Sequence, residues 1–110
     1  MEQEGFKLIV TIVSRRKAGK VLDIAHQAGA VGGTILSGHG ASVRLMLGIS
    51  IEPEKDIVLS LMEASKVQAV LSALEKGLRL KEPQKGIAFV VSLDQVVGLY
   101  QEKQVDSCSI

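Results

Sequence analysis

The sequence FKLIVTIVSRRKAGKVLDIAHQAGAVGGTILSGHG, residues 6–40, decides the fold because its hydrophobic pattern changes period twice. Residues 6–13 are aliphatic and β-branched, which is typical of a strand that is covered on at least one face. Residues 15–28 then carry apolar side chains at helical spacing, and residues 31–37 return to a strand pattern. This stretch therefore predicts a strand, a helix and a second strand.

The same order returns in the second half of the chain. Residues 56–62 predict a strand, the apolar stripe from Val67 to Leu78 predicts a helix, and residues 87–91 predict a nearly continuous apolar strand. Charge, proline and glycine make residues 81–86 a loop, and residues 92–99 are expected to form a short helix. Two such units predict a ferredoxin-like βαββαβ sandwich of the α+β class, with a four-stranded antiparallel sheet and two helices on one face.

Local signals predict where the two main helices begin and end. Ser14 is expected to cap the first helix, and Gly29 is expected to end it because glycine adopts the left-handed conformation at little cost. Ser65 and Gln68 have the spacing of a capping box, so we expect this pair to open the second helix.

Composition limits the size and the compartment of the protein. The chain has 110 residues, enough for one domain, which we expect to span residues 1–100 with a polar tail at 101–110. The formal net charge of +1 predicts no general attraction to nucleic acid or to anionic membranes, and the apolar runs are too short to cross a bilayer. The single cysteine, Cys108, and the acidic start at residues 1–4, which is unlike a signal peptide, favour the cytoplasm.

The sequence contains no recognisable catalytic or metal-binding pattern. It has no nucleophile at a telling distance from a base, no Walker loop and no cluster of cysteine and histidine. We therefore expect neither an enzyme nor a metal site nor a prosthetic group. A sandwich with helices on one face also leaves the other sheet face bare, and the apolar second and fourth strands predict that a closed oligomer covers it.

At this point the chain resembles the PII signal-transduction proteins, the family of the nitrogen regulators. The resemblance rests on GGTILSGHG (32–40), IEPEKDIVLSLM (51–62) and KGIAFVVSLDQVVGL (85–99), and it is closest to the PII-like branch with a shortened T-loop. It implies a trimer of ferredoxin-like subunits that binds adenine nucleotides, such as ATP, ADP or AMP, in the clefts between neighbours. It also implies a loop, here residues 41–54, that contacts a regulated partner such as a membrane transporter or a metabolic enzyme.

The resemblance transfers binding residues one by one, and some positions depart from the family pattern. Gly38, His39 and Gly40 match the glycine motif that opens the T-loop, and Lys55 matches a phosphate-contacting lysine. Of the B-loop motif only Gly86 is matched, with Lys85 on the other side of the glycine. The basic or polar residues after the glycine motif are replaced by Ala41 and Ser42, and the two arginines after the fourth strand by residues 97–99. The implied nucleotide site is therefore Gly38, His39, Gly40, Lys55, Lys85 and Gly86.

Each of these residues also has a simpler interpretation. Glycines at the end of a strand commonly make only a turn or a bulge, and Lys55 between Glu54 and Asp56 is typical of a solvated strand entry. With backbone N–H groups bared by Gly38 and Gly40, the same segment could instead hold an anion. Two alternatives to a nucleotide sensor therefore stay open: a trimer of the metal-tolerance or structural type without nucleotide, and a regulatory module for amino acids.

Overall fold

The computed structural model describes residues 5–39 and 54–99, and it contains the predicted order of elements. In chain order, the elements are β1 Phe6–Ser14, α1 Ala18–Ala28, β2 Gly32–His39, β3 Glu54–Glu63, a 3₁₀ turn Ala64–Lys66, α2 Val67–Leu78 and β4 Ile87–Ser92. The four strands form one antiparallel sheet in the spatial order β2-β3-β1-β4. The predicted ferredoxin-like fold is therefore confirmed.

Both helices pack on the same face of the sheet, and the aliphatic core lies between the two layers. The apolar stripes predicted for α1 and α2 are confirmed, since each helix buries side chains at helical spacing. The buried apolar residues of the core are Ile9, Val13, Ala18, Val21, Ala25, Ala30, Val58, Met62, Val67, Val70, Leu74 and Leu78. Leu22, Ile24, Ala28, Leu71, Leu80 and Ala88 pack around this core and are partly buried.

The caps predicted for the beginnings of both helices are wrong. Helix α1 begins at Ala18, not at Arg15, and no side chain of its own N-terminal residues caps it. The intervening turn contains Arg16 with a left-handed φ of 78°, which ends β1 before the helix can start. Helix α2 begins at Val67 after the 3₁₀ turn, without the expected capping-box bond from Ser65.

The predicted end of α1 is confirmed, whereas the predicted third helix is wrong. Gly29 ends α1 with a φ of 127°, and its N–H donates to the carbonyl oxygen of His26 at 3.1 Å. Residues 93–99 form no helix, and Val97 in this segment is 92% exposed, so the segment lacks a buried apolar stripe. The loop predicted at residues 81–86 is confirmed as a series of turns.

The sheet face opposite the helices is apolar, and the described residues cover it only in part, where Leu99 lines a pocket with Leu59 and Leu61. In the registers of the sheet, Val10 lies between Leu59 of β3 and Phe89 of β4, so these three side chains share that face. Phe89 is 42% exposed, and Ile87 on the same face is 53% exposed. The bare face predicted from the sequence is therefore present.

Other predictions fall outside the described residues or concern the membrane. Gly40, most of the 41–54 segment, Cys108 and the 101–110 tail lie outside residues 5–39 and 54–99. None of the described helices has the length and the apolar character that a membrane crossing requires.

Candidate functional site

The candidate site lies at one end of the sheet, which we call the His39 end. Strands β1 and β2 finish there at Ser14 and His39, and strands β3 and β4 begin there at Glu54 and Ile87. The antiparallel order brings these termini together, and the turn from β1 into α1 lies beside them. Five chain segments therefore meet at the His39 end.

A cleft of about 290 Å³ opens at this end of the sheet. Polar and charged groups from the β1–α1 turn, the end of β2 and the start of β3 surround it. The lining residues are Arg15, Ser37, Gly38, His39, Glu54, Lys55 and Asp56. Three of the residues predicted for the nucleotide site, Gly38, His39 and Lys55, are thus brought together.

The structure corrects the role predicted for Gly38. This glycine lies within β2, opposite Lys55 in the register with β3, and it is not among the described residues with a positive φ. A Cβ added at Gly38 would lie 3.1 Å from the side-chain Cδ1 of Ile57, which is closer than most real contacts of a Cβ. Gly38 therefore makes no sharp turn off the strand, and its missing side chain leaves room for Ile57.

Alternation along the paired strands divides the cleft residues between the two faces of the sheet. Gly38 and Lys55 face each other on the bare side, together with Ile57. His39 and Glu54, and likewise Ser37 and Asp56, face each other on the helix side. The cleft therefore reaches around the end of the sheet, and Lys55 is the cation that lies nearest the bare face.

Asp56 has a structural role that the sequence analysis did not predict. Its carboxylate oxygen Oδ2 accepts hydrogen bonds from the backbone N–H of Arg16 at 2.9 Å and of Ala18 at 3.2 Å. These N–H groups belong to the turn and the first residue of α1, where a helix has donors without internal partners. Asp56 is therefore the N-terminal cap of α1, and it replaces the predicted cap, Ser14.

Arg15 and Glu54 form the second link between the β1–α1 turn and β3. The guanidinium Nη1 of Arg15 is paired with the Oε1 of Glu54, and both side chains are about half exposed. Arg15 belongs to the basic cluster that follows β1, yet nothing in the sequence indicated which acidic residue would meet it. Its partner lies 39 positions later in the chain.

Among the residues that the structure describes, these two links leave Lys55 as the unpaired cation of the cleft. Both carboxylates of the cleft are engaged, Glu54 by Arg15 and Asp56 by backbone N–H groups. Within residues 5–39 and 54–99, the ammonium group of Lys55 has no ion pair. Lys55 is also half-buried, so part of its side chain contacts the protein and part of it is accessible to an anion.

The other two predicted site residues, Lys85 and Gly86, lie at the same end of the sheet but not in this cleft. Gly86 precedes β4, whose first residue pairs with Ile12 of β1, so β1 separates Gly86 from the start of β3. Gly86 lines a different cleft, of about 260 Å³, with residues of α2 and β4. Within one subunit the predicted site residues therefore form two groups, one at the start of β3 and one before β4. The two groups are separated by two strand spacings, or ~10 Å.

The loop before β4 engages most of its own cations. Arg79 donates two hydrogen bonds to the carboxylate of Glu82, at 3.1 and 3.3 Å, and Lys81 pairs with Glu75 at 3.2 Å. Lys85 has no such partner in the part of the chain that the structure describes. Among the described residues, both lysines that the resemblance placed at the nucleotide therefore lack ion pairs, whereas Arg15 and Arg79 have them. Residues 5–39 and 54–99 contain no cluster of three metal-ligating side chains.

In three dimensions the chain is similar to two structures of GlnK from B. subtilis. One, described as a GlnK–ATP complex, has a TM-score of 0.67 and 15% identity and covers 84% of this chain and 85% of that chain. The other, described as GlnK, has a TM-score of 0.66 and 16% identity over 83% of this chain and 87% of that chain. At these identities the likeness shows a shared fold, which agrees with the fold that the sequence resemblance implied.

A third similar structure is a Bacillus cereus protein related to NIF3. Its TM-score is 0.67 at 20% identity, and the match covers 86% of this chain but only 27% of that chain. The same fold thus occurs there as part of a longer protein. No protein-family model and no curated protein matches the sequence of this chain.

Proposed function

We propose that this protein is a PII-like regulator without catalytic activity, which binds a small anionic effector in clefts between the subunits of a homotrimer. The effector class is an adenine nucleotide. Residues 41–54 would contact the regulated partner, a membrane transporter or a metabolic enzyme, in the cytoplasm. Of residues 41–54, the structure describes Glu54.

The observation that carries this proposal is the cleft at the His39 end. It offers, at Lys55, an ammonium group that has no ion pair among the described residues, and Lys55 lies opposite Gly38 at the end of β2. A compact ammonium on a flexible stem is a common partner for phosphate. The shared fold with a protein described in complex with ATP supports the choice of a nucleotide.

The bare sheet face supports the trimeric part of the proposal. Large apolar side chains on this face, among them Phe89 and Ile87, are about half exposed in the single chain. Contiguous exposed apolar surface is a common mark of a protein interface. Copies of the same chain would cover this face in a closed, symmetric assembly.

Thermal unfolding with ATP, ADP, AMP, a cyclic nucleotide or no ligand tests the proposal. A nucleotide present at 100 times its dissociation constant stabilises the folded protein by about 2.7 kcal/mol, which raises the Tm clearly. We expect a rise with at least one nucleotide, and we expect Lys55→Ala to remove it. Lys20→Ala is the matched control, since Lys20 is exposed on α1 and does not line the cleft.

The opposite result would favour the metal-tolerance or structural type of trimer. In that case no nucleotide would change the Tm of the wild-type protein. A Tm that rises equally in the Lys55→Ala variant would place the nucleotide at another site and would refute the assignment of the cleft.

A further inference from the structure

A further cavity, of about 260 Å³, lies on the helix side of the sheet, between α1 and the first residues of β2. Gly32 and Gly33 of β2 line one side of it, and Ser60 of β3 also belongs to its lining. Gly32 is six residues from Gly38, so this cavity lies ~20 Å along the strand from the cleft at the His39 end. We call it the Ser60 cavity.

Ser60 carries a buried hydroxyl group that has no hydrogen-bond partner among the described residues. The residue is 1% exposed. Its Oγ lies 3.9 Å from the point that a Cβ of Gly33 would occupy, and the Cδ2 of Leu22 lies 2.5 Å from the same point. Half-buried Leu22 therefore packs in the space that Gly33 leaves free, and a change of its rotamer gives a ligand access to the hydroxyl. A buried polar group of this kind costs stability and calls for a partner.

Two features of α1 place negative potential at the Ser60 cavity. The carboxylate of Asp23 lines the cavity, is exposed and forms no ion pair with another described residue. Ala25 and His26, in the last turn of α1, line it as well, and the C-terminal end of a helix carries a partial negative charge. Both features favour a cationic group in this cavity.

Small apolar side chains form another part of the lining, namely Leu22, Ala25 and Ala30. The volume of about 260 Å³ lies just below the range of roughly 300–1,000 Å³ for pockets of drug-sized ligands, so the cavity suits a small molecule. We propose that the Ser60 cavity binds a small molecule with an ammonium group and a short aliphatic body, from either of two sources, an amino acid or a simple amine. This site is separate from the nucleotide cleft and does not depend on it.

Each group of the cavity has a role in this binding. The ammonium group of the ligand pairs with the carboxylate of Asp23 beside the end of α1, and the hydroxyl of Ser60 accepts a hydrogen bond from it. The aliphatic body contacts Leu22 and the two alanines. The imidazole of His26, three residues after Asp23 on the same helix, offers a ring N–H to the carboxylate of an amino acid.

An NMR titration of the isotope-labelled whole protein tests the proposal with three probes that share one aliphatic group. L-valine carries an ammonium and a carboxylate, isobutylamine carries only the ammonium, and isobutyrate carries only the carboxylate. We expect valine or isobutylamine to shift the amide signals of His26, Gly32 and Gly33, and we expect isobutyrate to leave them unchanged. Binding of valine alone identifies an amino acid as the ligand, whereas binding of isobutylamine shows that an amine is sufficient.

Two variants test the roles of Asp23 and Ser60. Asp23→Asn removes the charge and keeps the shape, so we expect binding to weaken about fivefold or more, the effect of losing one ion pair at ~4 Å in water. Asp94→Asn is the matched control, since Asp94 is also exposed and does not line the cavity. Ser60→Ala should weaken binding, while the free protein unfolds at an equal or higher urea concentration, because the hydroxyl has no described partner to lose.

Several outcomes would overturn the proposal. Signals that move with neither valine nor isobutylamine would refute the site, and isobutyrate binding as tightly as the other probes would refute the recognition of an ammonium. An unchanged affinity in Asp23→Asn would do the same. A lower urea midpoint in Ser60→Ala would show that the hydroxyl serves the fold and would overturn its role in binding. None of these results bears on the nucleotide cleft, which the Lys55→Ala variant tests separately.

Discussion

Gly86 occupies a backbone position where a side chain does not fit. Its φ is 132°, which L-residues with a side chain rarely adopt. A Cβ at this position would lie 2.7 Å from the carbonyl oxygen of Ile12 and 2.9 Å from the Cγ1 of Val13. The first neighbour is backbone of the central strand β1, which cannot move aside easily. Gly86 is therefore required by the approach of β4 to β1, whether or not a ligand binds nearby.

We expect Gly86→Ala to destabilise the protein by about 1–3 kcal/mol, because it combines backbone strain with a steric clash. Urea unfolding measures this change. Gly19→Ala is the matched control, since Gly19 lies in α1 and nothing lies within 4 Å of a Cβ added there. Alanine is the better helix former, so this control should gain up to about 1 kcal/mol. Equal stabilities of the two variants would contradict the described geometry of Gly86.

The sequence indicates which glycines have a structural role, but it does not indicate the role of each one. Gly29 was predicted to end α1 because helix ends have a known local geometry, and this prediction is confirmed. Gly38 was predicted to turn the chain, yet its role depends on Ile57 of the neighbouring strand, which no local pattern reveals. Left-handed Arg16, Arg79 and Gln84 were not predicted either, since nothing about these residue types indicates a positive φ.

At the scale of the elements, α1 depends on a residue of β3 for its start. Asp56 caps the helix through bonds to the backbone of Arg16 and Ala18, and Glu54 pairs with Arg15 of the same turn. The helix and the beginning of β3 are thus linked at the candidate cleft. A change in either carboxylate would alter both the charge of the cleft and the anchoring of α1.

We expect Asp56→Ala to lower the free energy of unfolding by about 0.5–2 kcal/mol, the range found for removal of an N-terminal cap. Urea unfolding again gives the value, and Asp23→Ala on the exposed surface of α1 serves as the control. Ser65→Ala should change stability little, because Ser65 forms no cap for α2. A larger loss in Ser65→Ala than in Asp56→Ala would reverse the assignment of the caps.

The elements themselves were predictable, whereas the caps at the beginnings of the helices were not. Hydrophobic periodicity placed all four strands and both main helices, because core packing requires the same apolar spacing that the sequence displays. The cap of α1, Asp56, lies 38 residues after the start of the helix, so the residues that flank the helix in sequence do not reveal it. The short helix predicted at residues 92–99 does not form, because this segment has no buried apolar face that would stabilise it.

At the scale of the whole molecule, the bare sheet face is the surface that the proposed trimer would bury. Val10 lies on the central strand β1, between Leu59 and Phe89 in the two registers. Its side chain is half-buried in the single chain, and a trimer would bury it fully. The fold could be predicted because it follows from the order of the elements, but the assembly depends on surfaces of other copies, which a pattern along one chain does not specify.

We expect Val10→Asp to dissociate the proposed trimer into smaller species, because a carboxylate in an apolar interface without a partner is strongly destabilising. Sedimentation velocity measures the change in mass. Val97→Asp introduces the same charge at a residue that is 92% exposed and should leave the mass unchanged. An unchanged mass in Val10→Asp would place the interface elsewhere on the molecule.

Native mass spectrometry with AMP present tests the central proposal, a trimer with a nucleotide between its subunits, most directly. Three copies of the 11.7 kDa chain should travel together and bind up to three nucleotides, and occupancy should fall in Lys55→Ala without loss of the trimer. Monomers that bind nucleotide would contradict the placement of the site between subunits. A trimer that binds no nucleotide would contradict the proposed function and leave only the fold and the assembly.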